Sequence, residues 1–157
     1  MRLIAIDLGD KRTGIALGDR ITMIASPVAC IEVPIQDHNG QRLLDALAKE
    51  VRTLIGTERV EVLLGLPINM DGSESPRSKI SRVFGQRIAD ALGLDVVLVD
   101  ERRTSKAADE LMAQTGLTHK QKKARRDAIA AAAIMQVYLD TPEAALGLIE
   151  CTKPSKA

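Results

Sequence analysis

Residues 4–19 read I-A-I-D-L-G-D-K-R-T-G-I-A-L-G-D, and their pattern decides the fold. The apolar run Leu3 to Ile6 ends in a carboxylate, Asp7, and Gly9 follows, the pattern of a buried strand that delivers a side chain to its exit. A second run, Thr13 to Leu17, closes with Gly18 and Asp19. A third, Ile21 to Val33, contains Pro27, which lacks a ladder donor and so interrupts the strand or confines it to a sheet edge. The connections are too short for crossovers, so these three strands are predicted to be antiparallel.

From Gln41 the period lengthens. Leu44, Leu47, Ala48, Val51 and Ile55 fall at helical intervals until Gly56 stops them. Val60 to Leu64 reads as a strand and Gly65 to Gly72 as an irregular loop. Ser75 and Pro76 open a helix with Ile80, Phe84, Ile88 and Ala91 on one stripe and Gly93 as its stop. Val96 to Val99 is a fifth strand that runs into Asp100, Glu101 and Arg102, and two helices follow, Lys106 to Gln114 and Thr118 to Leu139. This order predicts an α/β domain over residues 1–140, a five-stranded mixed sheet flanked by helices. The first, fourth and fifth strands are parallel in it, and residues 141–157 form a loosely held tail. Ligands in such sheets collect at the C-terminal ends of parallel strands, which here carry Asp7, the Gly65 to Gly72 loop and Glu101.

Composition narrows the function classes. The chain has 157 residues, 45% of them apolar, which suits one domain with a self-sufficient core. Two cysteines, Cys30 and Cys151, exclude a disulfide framework or a cysteine-rich zinc module and fit a reducing cytosol. No apolar run approaches the roughly 20 residues of a membrane helix, and no signal-peptide pattern precedes Asp7, so a soluble cytoplasmic protein without membrane partners is expected. The net charge of +1 carries no polycationic signature, but Glu101 to Asp127 holds eight cations against four anions. One Tyr, one Phe and no Trp argue against base stacking, so nucleic acid would be held through its phosphates.

Asp7, Glu101 and Asp127 stand beside apolar runs. Asp127 shares a helical face with Ala130, Ala131 and Ile134. Taken singly, each acid has an ordinary reading as a cap, an ion-paired surface group or a partner for Lys123. If they converge, each pair at ~4 Å repels by about 4 kcal/mol at an effective dielectric of 20, and a cation must bind. Carboxylates without clustered Cys or His favour Mg2+ or Mn2+. Two such ions on shared carboxylates would activate a water and stabilise the leaving oxygen of a phosphodiester.

Four ordered motifs, residues 4–19, G-L-P-I-N-M-D-G at 65–72, D-E-R-R-T at 100–104 and D-A-I-A-A-A-A-I-M-Q-V-Y-L at 127–139, together resemble the YqgF or RuvX family. Its members are bacterial RNase H-like nucleases, described both as Holliday junction resolvases and as nucleases that trim the precursor of small-subunit ribosomal RNA. The resemblance implies an RNase H-like fold and metal-dependent phosphodiester hydrolysis, with Asp7, Glu101 and Asp127 as the catalytic, metal-holding acids. It also implies precursor rRNA or pre-ribosomal particles as partners, with branched DNA as the other substrate. Arg103 replaces a residue that is often small or apolar in the family, and Ser105 a frequent Thr. Asp71 lies near where related resolvases place a carboxylate, yet reads better as a turn residue before Gly72.

Phosphate contacts are expected from Lys11 and Arg12 in the first turn, from Arg102 and Thr104 beside Glu101, and from Lys122, Lys123, Arg125 and Arg126 ahead of Asp127. Cations at a helix start oppose the macrodipole, which favours a functional reason for them. His38 and His119 lack metal-ligand spacing and are expected at the surface. Two other readings compete: a non-catalytic nucleic-acid binding module, and a nucleotide hydrolase of the actin and Hsp70 type, which needs two related domains.

Overall fold

The computed structural model describes residues 1–114, 116 and 118–153, without the side chains of 122–124. Strands β1 (Arg2–Leu8), β2 (Thr13–Asp19) and β3 (Ile24–Ile31) form an antiparallel meander. Helix α1 (Gln41–Ile55) leads to β4 (Val60–Leu66), and α2 (Pro76–Leu92) leads to β5 (Val96–Asp100). Then come α3 (Thr104–Gln114), α4 (His119–Ala124), α5 (Arg126–Asp140) and β6 (Ala145–Ile149). The sheet order is β3-β2-β1-β4-β5-β6, with β1, β4 and β5 parallel.

Strand alternation sorts the side chains into two cores. Ile4, Ile6, Val62, Leu64, Val96 and Leu98 pack with Leu43, Leu47 and Val51 of α1 and Phe84 and Ile88 of α2. Leu3, Ala5, Leu63 and Val99 pack on the other face against Ala131, Ala132, Ile134 and Met135 of α5. Each fully buried Leu or Ile contributes about 1.5–3 kcal/mol, so the alternation leaves no freedom to slip register. By the same parity Asp7, Gly65 and Glu101 belong to the α5 face, at the ends of its three parallel strands.

Four expectations need correction. The sheet has six strands, not five. Ala145–Ile149 pairs antiparallel with β5, so the sheet continues beyond the boundary expected at residue 140. That strand was hidden because it lies on an edge with Leu146 and Leu148 largely exposed, and its short apolar patch lacks alternation. The last helix is broken at Arg125 (φ −105°, ψ 6°), which separates the basic segment from α5. The buried stripe of α2 runs through Ser81, Phe84, Gly85, Ile88 and Ala89, whereas Ile80 faces solvent. The third strand begins only at Ile24, because residues 20–23 turn, with Met23 at φ 57°. Pro27 sits in the edge strand β3, as its missing donor requires.

Candidate active site

Burial brings two carboxyl groups together. Asp7 leaves the end of β1 and Glu101 follows the end of β5, and between them lies β4, where the sequence places Gly65. A Cβ on Gly65 would stand 2.1 Å from Glu101 Oε1 and 2.5 Å from Ile134 Cδ1, so only glycine leaves room for the Glu101 side chain to cross β4. There it comes within the field of the Asp7 carboxyl.

The third acid arrives from α5. Gly14 on β2 lets the helix start press against the sheet, since a Cβ there would lie 1.8 Å from the Asp127 carbonyl oxygen. Asp127 occupies the first turn of α5, where the helix dipole favours an anion. Its Oδ2 accepts from the Cys30 thiol at 3.6 Å and faces Arg12 Nε at 3.4 Å.

The electrostatics follow from this packing. Burial first, and repulsion from Asp127 second, push the Asp7 carboxyl up to about 6. Burial and then the nearby Asp7 push Glu101 up to about 7. The Arg77 guanidinium opposes both shifts. Cys30 is pushed up to about 11, by burial and then by Asp127, so it stays a thiol and donates.

The donor set fits a hard divalent cation: carboxylate oxygens only, mutually repelling, in a cradle that a Cβ would fill. Asp7 and Glu101 are the pair that would hold it. Among the described residues no three His, Cys, Asp or Glu side chains cluster tightly enough to enclose an ion; the charge of Asp127 raises Asp7, and its Oδ2 meets Cys30 and Arg12.

The expected phosphate contacts divide. Lys11 and Arg126 are exposed, and Arg12 lies on Asp127. Arg102 is committed elsewhere: it donates three side-chain hydrogen bonds to Asp100 and one to the Met70 carbonyl, tying the loop after β4 to the end of β5. Thr104 Oγ1 donates to the Glu101 carbonyl at 2.9 Å and so braces that residue's backbone. Arg125 donates to the Pro27 carbonyl at 2.9 Å, fastening the start of α5 to the sheet edge. The side chains of Lys122 and Lys123 lie outside the described residues. Asp71 accepts from the Ser73 N–H and hydroxyl, which hold its carboxyl below the usual range, and it is a turn residue.

Sequence reasoning missed Arg77, Cys30 and Gly65. Arg77 sits in the first turn of α2, far along the chain from any acid of the site, and no spacing rule connects them. Gly65 reads as the start of a loop in the sequence, whereas β4 continues to Leu66 and places it inside a buried strand, where glycine admits another group.

Comparison with known proteins places these features. The family described as "RuvX: Holliday junction resolvase" matches residues 1–141. A "Putative pre-16S rRNA nuclease" of Lactococcus lactis subsp. lactis is 34% identical over 140 residues, covering 88% of this chain and 94% of the relative. One of the same name from Anaeromyxobacter sp. (strain K) is 36% identical over 140 residues, covering 89% and 97%. Thermus thermophilus RuvC in complex with a Holliday junction substrate is similar in structure, with a TM-score of 0.52, 12% identity and coverage of 91% and 96%. The fowlpox virus resolvase gives 0.53, 16% identity and coverage of 90% and 99%. At these identities the structural likeness speaks for the fold, which is RNase H-like.

Proposed function

The chain belongs to the RuvX family, and from that premise we propose that it is a metal-dependent nuclease of the cytosol that matures the 5′ end of precursor 16S rRNA. One observation carries the chemistry: Glu101 reaches across Gly65 toward Asp7 at the C-terminal ends of parallel strands, where burial and neighbouring negative charge raise both carboxyls. Asp7 and Glu101 would hold Mg2+ or Mn2+. When bound, the ion supplies a Lewis acid beside a phosphodiester oxygen.

The chain's own residues do the rest. Gly65 keeps the crossing open, and the Thr104 hydroxyl fixes the Glu101 backbone. Cys30 and Arg12 hold Asp127 so that its charge reinforces the negative field at Asp7. Arg102 anchors the loop that borders the site. Lys11 stands at the turn after β1, where a phosphate one step along the backbone would pass.

The names of the two curated relatives favour ribosomal RNA over a DNA junction. The test compares purified protein on a precursor RNA with a 5′ extension and on a four-way DNA junction, with Mg2+, with Mn2+ and with EDTA. Metal-dependent cleavage of the RNA is expected. Cleavage of the junction alone would make the chain a resolvase, and binding of the RNA without cleavage under either metal would make it a binding module.

A further inference from the structure

Arg77 extends from the first turn of α2 and places Nη1 3.0 Å from both carboxylate oxygens of Asp10. Asp10 lies three residues beyond Asp7, in the turn that leaves β1. The pair is open to water, with Arg77 52% and Asp10 71% exposed at their side chains. Exposed ion pairs of this kind add little to stability, so Asp10 is a weak holder. The guanidinium's Nε and Nη2 carry no hydrogen bond among the described residues.

This cation differs from its neighbours around the site. Arg102 is spent on Asp100 and the Met70 carbonyl, Arg125 on the Pro27 carbonyl, and Arg12 faces Asp127. The charge of Arg77 bears on both Asp7 and Glu101, and its planar fork is incompletely used by Asp10. A guanidinium matches two oxygens of a phosphodiester, and one that already faces two carboxylate oxygens is oriented for that exchange.

We propose that Arg77 grips a phosphate of the nucleic-acid strand lying over the Asp7–Glu101 pair, and that Asp10 is the anion it releases when the strand binds. This assigns a backbone-positioning residue on the α2 side of the site, opposite the basic segment ahead of α5. It rests on the nuclease reading for what happens after binding, but the contact itself is independent of cleavage.

Binding is therefore measured in EDTA, by fluorescence anisotropy of a labelled RNA stem-loop with a 5′ single-stranded extension, over a salt series. Arg77→Ala is expected to weaken binding by about 10-fold and to reduce the slope of log affinity against log salt by about 0.7–0.9, the value of one phosphate contact. Arg77→Lys should keep the slope and lose part of the affinity. Asp10→Asn breaks the same ion pair but should tighten binding about 2- to 5-fold, a gain that vanishes when Arg77 is already Ala. A merely structural ion pair predicts the opposite pattern, with Arg77→Ala and Asp10→Asn shifting binding in the same direction. That result, or an unchanged salt slope in Arg77→Ala, would overturn the proposal. If the wild-type protein binds in this manner but cleaves nothing with Mg2+ or Mn2+, the nuclease reading fails and the phosphate contact stands.

Discussion

Glu101 Oε1 lies over Gly65 on β4, the strand that separates Glu101 from Asp7, and burial with like charge nearby holds both carboxyls above their ordinary values. The site is therefore built against the stability of the metal-free protein. Its negative charge is held in place by the sheet and by α5, not relieved by a neighbouring cation of sufficient strength.

The pH dependence follows in sign. Both groups sit higher in the folded chain, at about 6 for Asp7 and about 7 for Glu101, than their ordinary values of 3.8 and 4.5. The stability they contribute is fully present below about pH 4 and is lost as pH rises through 6 to 7. In EDTA the melting temperature should fall between pH 5 and pH 8. Glu101→Gln should raise stability at pH 8 by about 1–3 kcal/mol, since each tenfold change in a group's proton affinity on folding is worth roughly 1.4 kcal/mol. Thermal melts of both proteins at the two pH values decide the matter, and a lower melting point for Glu101→Gln at pH 8 would show that the acids do not repel.

Gly65→Ala tests the crossing itself. The new methyl would meet Glu101 Oε1 and the buried Ile134 side chain. Overpacking of this sort costs about 1–3 kcal/mol, and here it also pushes Glu101 away from Asp7. The variant should fold, melt lower and lose the raised carboxyl titration near pH 6–7. Carbon-detected NMR of the side-chain carboxyls reads that loss directly, and an unchanged titration would mean that Glu101 needs no gap at Gly65.

Truncation after Asp140 tests the edge strand. Removing Ala145–Ile149 would strip β5 of its antiparallel partner and take away Ile149, whose Cδ1 lies beside Gly85 and which packs on the core. It would also remove the Cys151 and Thr152 N–H groups that donate to Asp95 and Asp90. An unpaired, apolar edge invites association between chains. Urea denaturation should show a loss of several kcal/mol, and size-exclusion chromatography should show oligomers. A monomeric truncated chain of unchanged midpoint would leave residues 141–157 as the loose tail their composition suggests.

The meander, the crossovers and the strand exits of Asp7 and Glu101 were legible because burial on alternating faces is written as a period of two in the chain. The sixth strand was not, since an edge strand exposed on one side needs no apolar alternation. Nor was the break at Arg125, a single dihedral change inside a run of good helix formers. The three acids could be chosen as residues out of place, but the different contacts each one makes could not. Gly65 and Gly14 set which of them touch, and those contacts join β4 to β5 and β2 to α5. Arg102 was expected on a phosphate. Its partner Asp100 stands two residues away, yet the charge pattern alone does not distinguish a bound guanidinium from a free one.

That difference among the acids leads to a metal-binding prediction. Glu101 reaches across Gly65 toward Asp7, whereas Asp127 meets Cys30 and Arg12 at Oδ2 and raises Asp7 by its charge. Removing a carboxylate that holds an ion leaves the other uncompensated, and such losses are about 3–5 kcal/mol, or at least about 100-fold in affinity. Removing one that acts from outside the coordination sphere weakens affinity about 10-fold. Mn2+ binding followed by electron paramagnetic resonance should therefore fall at least about 100-fold in Glu101→Gln and only about 10-fold in Asp127→Asn. Cys30→Ala, which frees Asp127 to turn toward Asp7, should leave Mn2+ affinity unchanged or raise it. Equal losses for Glu101→Gln and Asp127→Asn would mean that α5 closes on the ion and that Asp127 binds it directly.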